Sequence, residues 1–290
     1  MNFFENPFKE KPKTGKPNET PKHLKIYGEK VIDLFCKEFS VDGLDRFKKY
    51  KEENPKEKFI ISAAHLNNLD VPAALKVMGP EVNIQMTGES VLLEKMKYLG
   101  HRLMINLAGR DNFTPLDYIE NKDGKHGSFN PENFIELEEK ISEGKTPWIA
   151  ANPFSLDGKM KKASIGPVYL AAKTNSAIIP TALDVSGGSV NLEGMAENVK
   201  GLMDRSESIY HIGEPIKFPP LDISIIEKIT EKRKNGNEVS KEELLEFSDV
   251  HNALKKRAEE LALTISEMLP EEKRGYYSVE NKEKRKKINL

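Results

Sequence analysis

Apolar residues in this chain fall in short runs separated by amphipathic stretches, the pattern of an α/β fold. The clearest run opens the stretch 59–75, FIISAAHLNNLDVPAAL. Phe59, Ile60 and Ile61 predict a buried strand. Ser62, Ala63 and Ala64 are small and let other backbone approach. The chain then turns polar through His65, Asn67, Asn68 and Asp70 before a helix over 71–78 that ends at Gly79-Pro80. Pro72 suits the first turn of that helix, where its missing N–H costs little. Asn68 or Asp70 is the expected N-cap. A histidine therefore stands at the carboxyl end of a strand and an aspartate at a helix N-terminus. In open α/β sheets ligands bind at that edge.

The remaining pattern supplies the other layers. A helix is predicted over 23–39, and a charged loop over 52–58. A strand follows at 82–86, a helix over 91–104, and a short strand over 105–110 that ends in Gly109-Arg110. Turn signals at Asp123-Gly124 and Gly127 mark 111–131 as a loop excursion, and His126 within it is read as exposed. Phe134, Leu137 and Ile141 have helical spacing, closed by Gly144. A strand at 146–151, a helix over 166–173 and a strand at 177–185 complete the middle of the chain, and Pro180 predicts an edge position or a bulge there. Beyond Asp222 the chain is helical. Ser240 is an N-cap with Glu243 at the third position. A stripe runs through Leu244, Leu245, Phe247, Val250, Leu254, Leu261 and Ile265 to Leu269. The fold class expected is α/β, a mixed central sheet covered by helices in a single domain over 23–277. A disordered tail over 1–22 and a basic tail over 278–290 flank it.

Composition narrows the function. The chain has 290 residues, 31% of them charged, with a net charge of −1, which argues against wholesale nucleic-acid binding. The one cysteine, Cys36, cannot form an intramolecular disulfide and reads as a small core residue. No run of 18 apolar residues and no secretory pattern occur, so the expectation is a cytoplasmic protein, soluble or peripheral at the inner membrane face. Phe3, Phe4 and Phe8 beside Lys9, Lys11 and Lys13 could touch a lipid surface, although an untethered terminus is the plainer reading. No P-loop, GxSxG elbow or Cys/His metal cluster is present.

His65 and Asp70 lie five residues apart, which on a continuous helix would separate them by about 140°. Across a strand-to-helix turn they can meet. A carboxylate on one imidazole nitrogen fixes the tautomer and frees the other nitrogen as a general base. That base can deprotonate a substrate alcohol as it attacks an acyl carbonyl. The plainer alternative is a structural histidine beside a helix cap.

The block SAAHLNNLD (62–70), with the pieces downstream of it, resembles the glycerolipid acyltransferases, the lysophosphatidic acid and glycerol-3-phosphate acyltransferases with their HxxxxD motif. The family's first block is NHxSxxD, and Ala64 stands here for its asparagine. The segment 40–47 is similar to the strand and turn that precede that block. The resemblance extends to a second block ending in an arginine at Arg110, associated in the family with the acceptor's phosphate. Alone, Arg110 could equally pair with Asp111 or Asp117. The helix and I-[IV]-P strand at 166–185 are similar to the region that lines the acyl pocket. YHIGEP (210–215) and LPEEKRGYY (269–277) are similar to late segments.

The third block departs. The family's FPEGTRS falls on IAANPFS (149–155), so Ala151 stands for its Glu, Asn152 for its Gly and Phe154 for its Arg, while Leu156-Asp157-Gly158 keeps the turn. Lys159, Lys161 and Lys162 are the nearest substitutes for the missing cation, or a solvated loop. The resemblance implies an enzyme, a transferase of acyl groups other than amino-acyl groups. It would move a fatty acyl group from acyl-CoA or acyl-carrier protein to a lysophospholipid or glycerol phosphate hydroxyl. His65 would be the base and Asp70 its orienter, no metal or bound cofactor is required, and contact with a membrane surface would be peripheral. A non-catalytic lipid- or acyl-chain-binding member of the same fold is the alternative that the altered third block raises. A hydrolase using His65 on water is a third.

Overall fold

The computed structural model describes residues 19–89, 105–106, 109–116, 131–186 and 205–282. The helix expected over 91–104, His126, Phe3, Phe4, Phe8 and residues 283–290 of the basic tail lie outside the described residues.

The sheet is seven-stranded and mixed. Its strands are β1 (Cys36–Asp42), β2 (Phe59–Ala63), β3 (Asn83–Gly88), β4 (Phe113–Pro115), β5 (Lys145–Ala150), β6 (Ala177–Val185) and β7 (Ser206–Ile212), in the order β1-β7-β6-β2-β5-β3-β4. Neighbours are parallel except β6 and β7. The helices whose bounds lie among the described residues are α1 (Lys22–Phe35), α2 (Leu44–Glu53), α3 (Asp70–Val77), α4 (Ile135–Ser142), α5 (Gly166–Thr174), α6 (Ser224–Lys234) and α7 (Lys241–Glu267). The expected fold class, α/β with a mixed sheet covered by helices, is the one observed.

Strand β2 lies between β5 and β6, and every one of its residues is buried. Its period of two divides the core. Phe59, Ile61 and Ala63 join α1 and α3 on one face, with Leu69, Ala74 and Tyr210. Ile60 and Ala64 join α5, α6 and α7 on the other, with Tyr169, Leu254 and Ile265. Contact between α1 and α3 is close because Gly28 has no side chain. A Cβ built there would lie 2.6 Å from the Pro72 carbonyl and 2.8 Å from the Lys76 nitrogen. Gly28→Val should therefore destabilise the fold by about 3 kcal/mol, read as a lower urea midpoint. Gly28→Ala should cost less in the same direction.

The sequence pattern misplaces several boundaries. The helix expected over 23–39 stops at Phe35, and 36–42 form edge strand β1, where Cys36 is buried and lies 3.3 Å from the Ser208 hydroxyl. Residues 19–22, expected in the tail, are built in. Thr20 is buried, its hydroxyl donates to the Val82 carbonyl at 2.7 Å and accepts from the Ile84 amide at 2.9 Å. Pro180 sits in an interior strand, yet its carbonyl accepts from Gly213 just past the end of β7. Its missing N–H faces the same side, where the partner strand is interrupted before the Ile178–Ile216 bridge. The capping box at Ser240 and Glu243 forms as expected. The apolar stripe of α7 is buried only from Leu254 onward, and Leu245 is 68% exposed.

Candidate active site

The loop between β2 and α3 is short because the polar residues in it fold on one another. Asn67 accepts the Leu69 amide on its side-chain oxygen at 2.8 Å, an Asx turn that starts the helix. Asn67, rather than Asn68 or Asp70, makes this turn. Asp70 is the first helical residue and reaches back instead. Its Oδ2 accepts the Leu66 amide at 3.0 Å, the Asn67 amide at 3.1 Å and His65 Nδ1 at 3.0 Å. His65 and Asp70 therefore meet across the turn, as their spacing allows. The Leu66, Asn67 and Leu69 amides are all committed within the turn.

The pair is asymmetric. Asp70 is 2% exposed and His65 26%. Burial pushes the Asp70 carboxyl above the usual carboxylate range, while the bond and charge of His65 and the two backbone amides pull it back. With Nδ1 held by Asp70, Nε2 is the free ring nitrogen. The imidazole is fixed on its flanks by aromatic rings. Trp148 meets it edge-on at 5.5 Å between centroids, and Phe154 is tilted against it at 4.7 Å.

The third block lies against this histidine. The carboxyl end of β5 is level with that of β2, Ala150 pairing with Ala63. Asn152 is fully buried, its Oδ1 accepts the His65 amide at 3.3 Å, and its Nδ2 donates to the Pro153 carbonyl at 2.9 Å. The Ser155 amide donates to the His65 carbonyl at 3.2 Å. Main-chain groups on both sides of His65 are thus held by residues 152 and 155. Asn152 was legible only as a departure from a motif, because its partner is 87 residues away. Asn152→Ala should lower stability by about 1–3 kcal/mol through the orphaned amide, measured by urea unfolding. It should also lower any activity that depends on His65.

The other site residues divide. Lys159, Lys161 and Lys162 are exposed on the segment that follows β5, at the His65 edge. Lys161 Nζ donates to the Phe154 carbonyl at 2.7 Å. Neighbouring Met160 is buried and pinned by backbone bonds to Lys273 and Tyr276. Arg110 is not brought to this edge. The strand expected over 105–110 is absent from its described part: residues 105–106 are helical and Arg110–Asn112 form a 3-10 turn before β4. The register places Phe113 beside Met86, Gln85 beside Pro147 and Trp148 beside Ile61. Arg110 precedes that level and His65 follows it, so their backbones lie at opposite ends of parallel strands, on the order of 15 Å apart along the axis. Gly109, at φ +82°, turns the chain at the place where the strand was expected to end.

A histidine on a carboxylate at a strand end, with one ring nitrogen left over, is chemically able to accept a proton. The chain is similar to a solved structure. It is the 1-acyl-sn-glycerophosphate (LPA) acyltransferase, PlsC, from Thermotoga maritima, at 17% identity over 83% of this chain and 78% of that chain, with a TM-score of 0.44. No family model matches the sequence, and no curated protein does. Among the described residues, no helix is long and apolar enough to cross a membrane. No group of three or more metal-ligating side chains occurs among them either.

Proposed function

We propose that the protein is an O-acyltransferase that moves a fatty acyl group from an acyl thioester, acyl-CoA or acyl-carrier protein, to a lysophospholipid or glycerol phosphate hydroxyl. The bond between His65 Nδ1 and buried Asp70 carries this reading. It leaves Nε2 to take the proton of the acceptor hydroxyl as its oxygen attacks the thioester carbonyl. The tetrahedral intermediate then collapses, the C–S bond breaks, and the imidazolium returns its proton to the departing thiolate. Asp70 remains an anion throughout and holds the ring in the tautomer that has Nε2 unprotonated.

Lys159, Lys161 and Lys162 supply the positive charge for the acceptor's phosphate in place of the arginine that the third block lacks. Lys161→Ala should then raise KM for a phosphorylated acceptor about three- to tenfold with kcat nearly unchanged. The same substitution should leave KM for the thioester donor unaltered. Steady-state kinetics with each substrate varied in turn checks both.

The reading is tested by offering labelled long-chain acyl-CoA, and separately acyl-carrier protein, with a panel of glycerol phosphates and lysolipids. Ester product with one class of acceptor identifies the substrate. Ala151 and Phe154 favour the second reading, a binding protein that holds an acyl chain without transferring it. Bound lipid with no ester across the panel would be its signature.

A further inference from the structure

Oδ2 of Asp70 carries every hydrogen bond that the carboxylate makes to described residues. Oδ1 is buried and has no partner among them. For an anion with 2% exposure this is costly, because an unsatisfied buried charge loses water without replacement. Two hydroxyls lie under the same turn in the complementary condition. Thr181 and Tyr210 are 0% and 1% exposed, and neither hydroxyl has a hydrogen-bond partner among the described residues.

The sheet brings these groups together. Thr181 pairs with Ala63 on β2, and its carbonyl accepts the amide of Ala64, the residue before His65. Tyr210 pairs with Leu183, two residues along β6 from Thr181, so both side chains stand on one face as diagonal neighbours. That face carries Ala63 and is covered by α3, whose first residue is Asp70. Burial raises the Tyr210 phenol well above the ordinary tyrosine range; the nearby Thr181 hydroxyl opposes this, and the Asp70 charge adds to it. Thr181 is close enough to bias the phenol without completing a well-formed bond.

We propose that Tyr210 and Thr181 are positioning residues that serve Oδ1 of Asp70 as donors and hold it as the anion that orients His65. This rests on the acyltransferase reading of the site only for its kinetic consequence. A chain carried by one bound water acts with the same sign as a direct bond. Few other charged or titratable groups face the pair. From α1 there are Tyr27, raised by burial to about 12, and Asp33, paired with Lys76 at the far end of α3. The described parts of β2 and β6 present only apolar groups and Thr181 to this face, and β7 presents Tyr210 and Ser208. Around the exposed edge of His65, the 151–162 segment carries Asp157, Lys159, Lys161 and Lys162.

The sign is fixed by charge. Taking a proton changes the His65–Asp70 pair from −1 to neutral, whichever atom holds it. Donors to Oδ1 favour the anionic state, so removing one lets the pair protonate at higher pH. In the full chain labelled at histidine, Tyr210→Phe and Thr181→Val should each raise the midpoint of the His65 ring titration, followed by NMR, by about one pH unit. His65→Gln assigns the signal among the six histidines. Thr181→Ser, which keeps the hydroxyl, should restore the parental midpoint. In ester formation the acid limb should move equally, with kcat about tenfold lower and KM unchanged. A titration unmoved in both variants while the fold is retained would overturn the proposal. The NMR arm needs no turnover, so it fails or succeeds independently of the acyltransferase reading. If Tyr210→Phe does not fold, the Thr181 pair of variants decides.

Discussion

Asp70→Asn is expected to abolish most acyl transfer while leaving the protein at least as stable as before. The two effects separate because the charge that the proposed chemistry needs on Asp70 is buried, and burial disfavours it. An Asn in its place keeps an acceptor for the Leu66 and Asn67 amides but no longer fixes the imidazole by charge. The tautomer with Nε2 unprotonated loses its preference, and the imidazolium formed during attack loses its counter-ion. A fall in kcat of about 10²- to 10⁴-fold follows. Stability moves the other way. Burial raises the folded-state pKa of Asp70 above its unfolded value. A group shifted in that direction contributes stability below its unfolded pKa and loses it as pH rises through the folded one. At pH 7 the charged side chain therefore weakens the fold, and Asn relieves this. The advantage of the variant should shrink as the pH is lowered, since protonated Asp70 is already neutral. Urea unfolding at pH 7.5 and at pH 4.5 measures it.

His65→Ala is the second large effect. Its side chain is 26% exposed, so truncation removes partly buried contacts with Trp148 and Phe154 together with the bond to Asp70. The expected loss of stability is about 1 kcal/mol. The expected loss of kcat is about 10³- to 10⁴-fold, because the base and the acid that protonates the thiolate are the same group. Raising the pH should not restore the rate. Added imidazole should recover part of it, provided the space between the two aromatic rings admits the free ring.

The sequence displayed the centre of this site clearly and its surroundings poorly. The apolar run at 59–61, the small residues after it and Pro72 after Asp70 define a strand, a tight turn and a helix by local rules alone. The His65–Asp70 contact follows from that geometry. The helix and strand at 166–174 and 177–185, and the capping box at Ser240, are equally local. What escaped is set by register between distant strands. Nothing near Arg110 says that β4 begins after it, or that the parallel pairing of β4, β3, β5 and β2 sends it to the opposite edge from His65. Asn152 reaches His65 only because β5 lies beside β2. Residues 36–39 continue the apolar spacing of the helix before them, and pairing with β7 overrides it. Leu244 and Leu245 continue the apolar stripe of α7 beyond the surface that the body of the protein offers to it. Tyr210 and Thr181 carry no local signal, since their meaning depends on which face of the sheet α3 covers.

One comparison bears most directly on the central claim: ester formation from a labelled long-chain acyl thioester and the best acceptor of the panel, by the parent protein and by His65→Ala side by side. The geometry of His65 and Asp70 predicts labelled ester with the parent and, at equal protein concentration, at least a hundredfold less with the variant. Ester formed at equal rates by the two proteins would contradict it, and would remove His65 from the chemistry altogether.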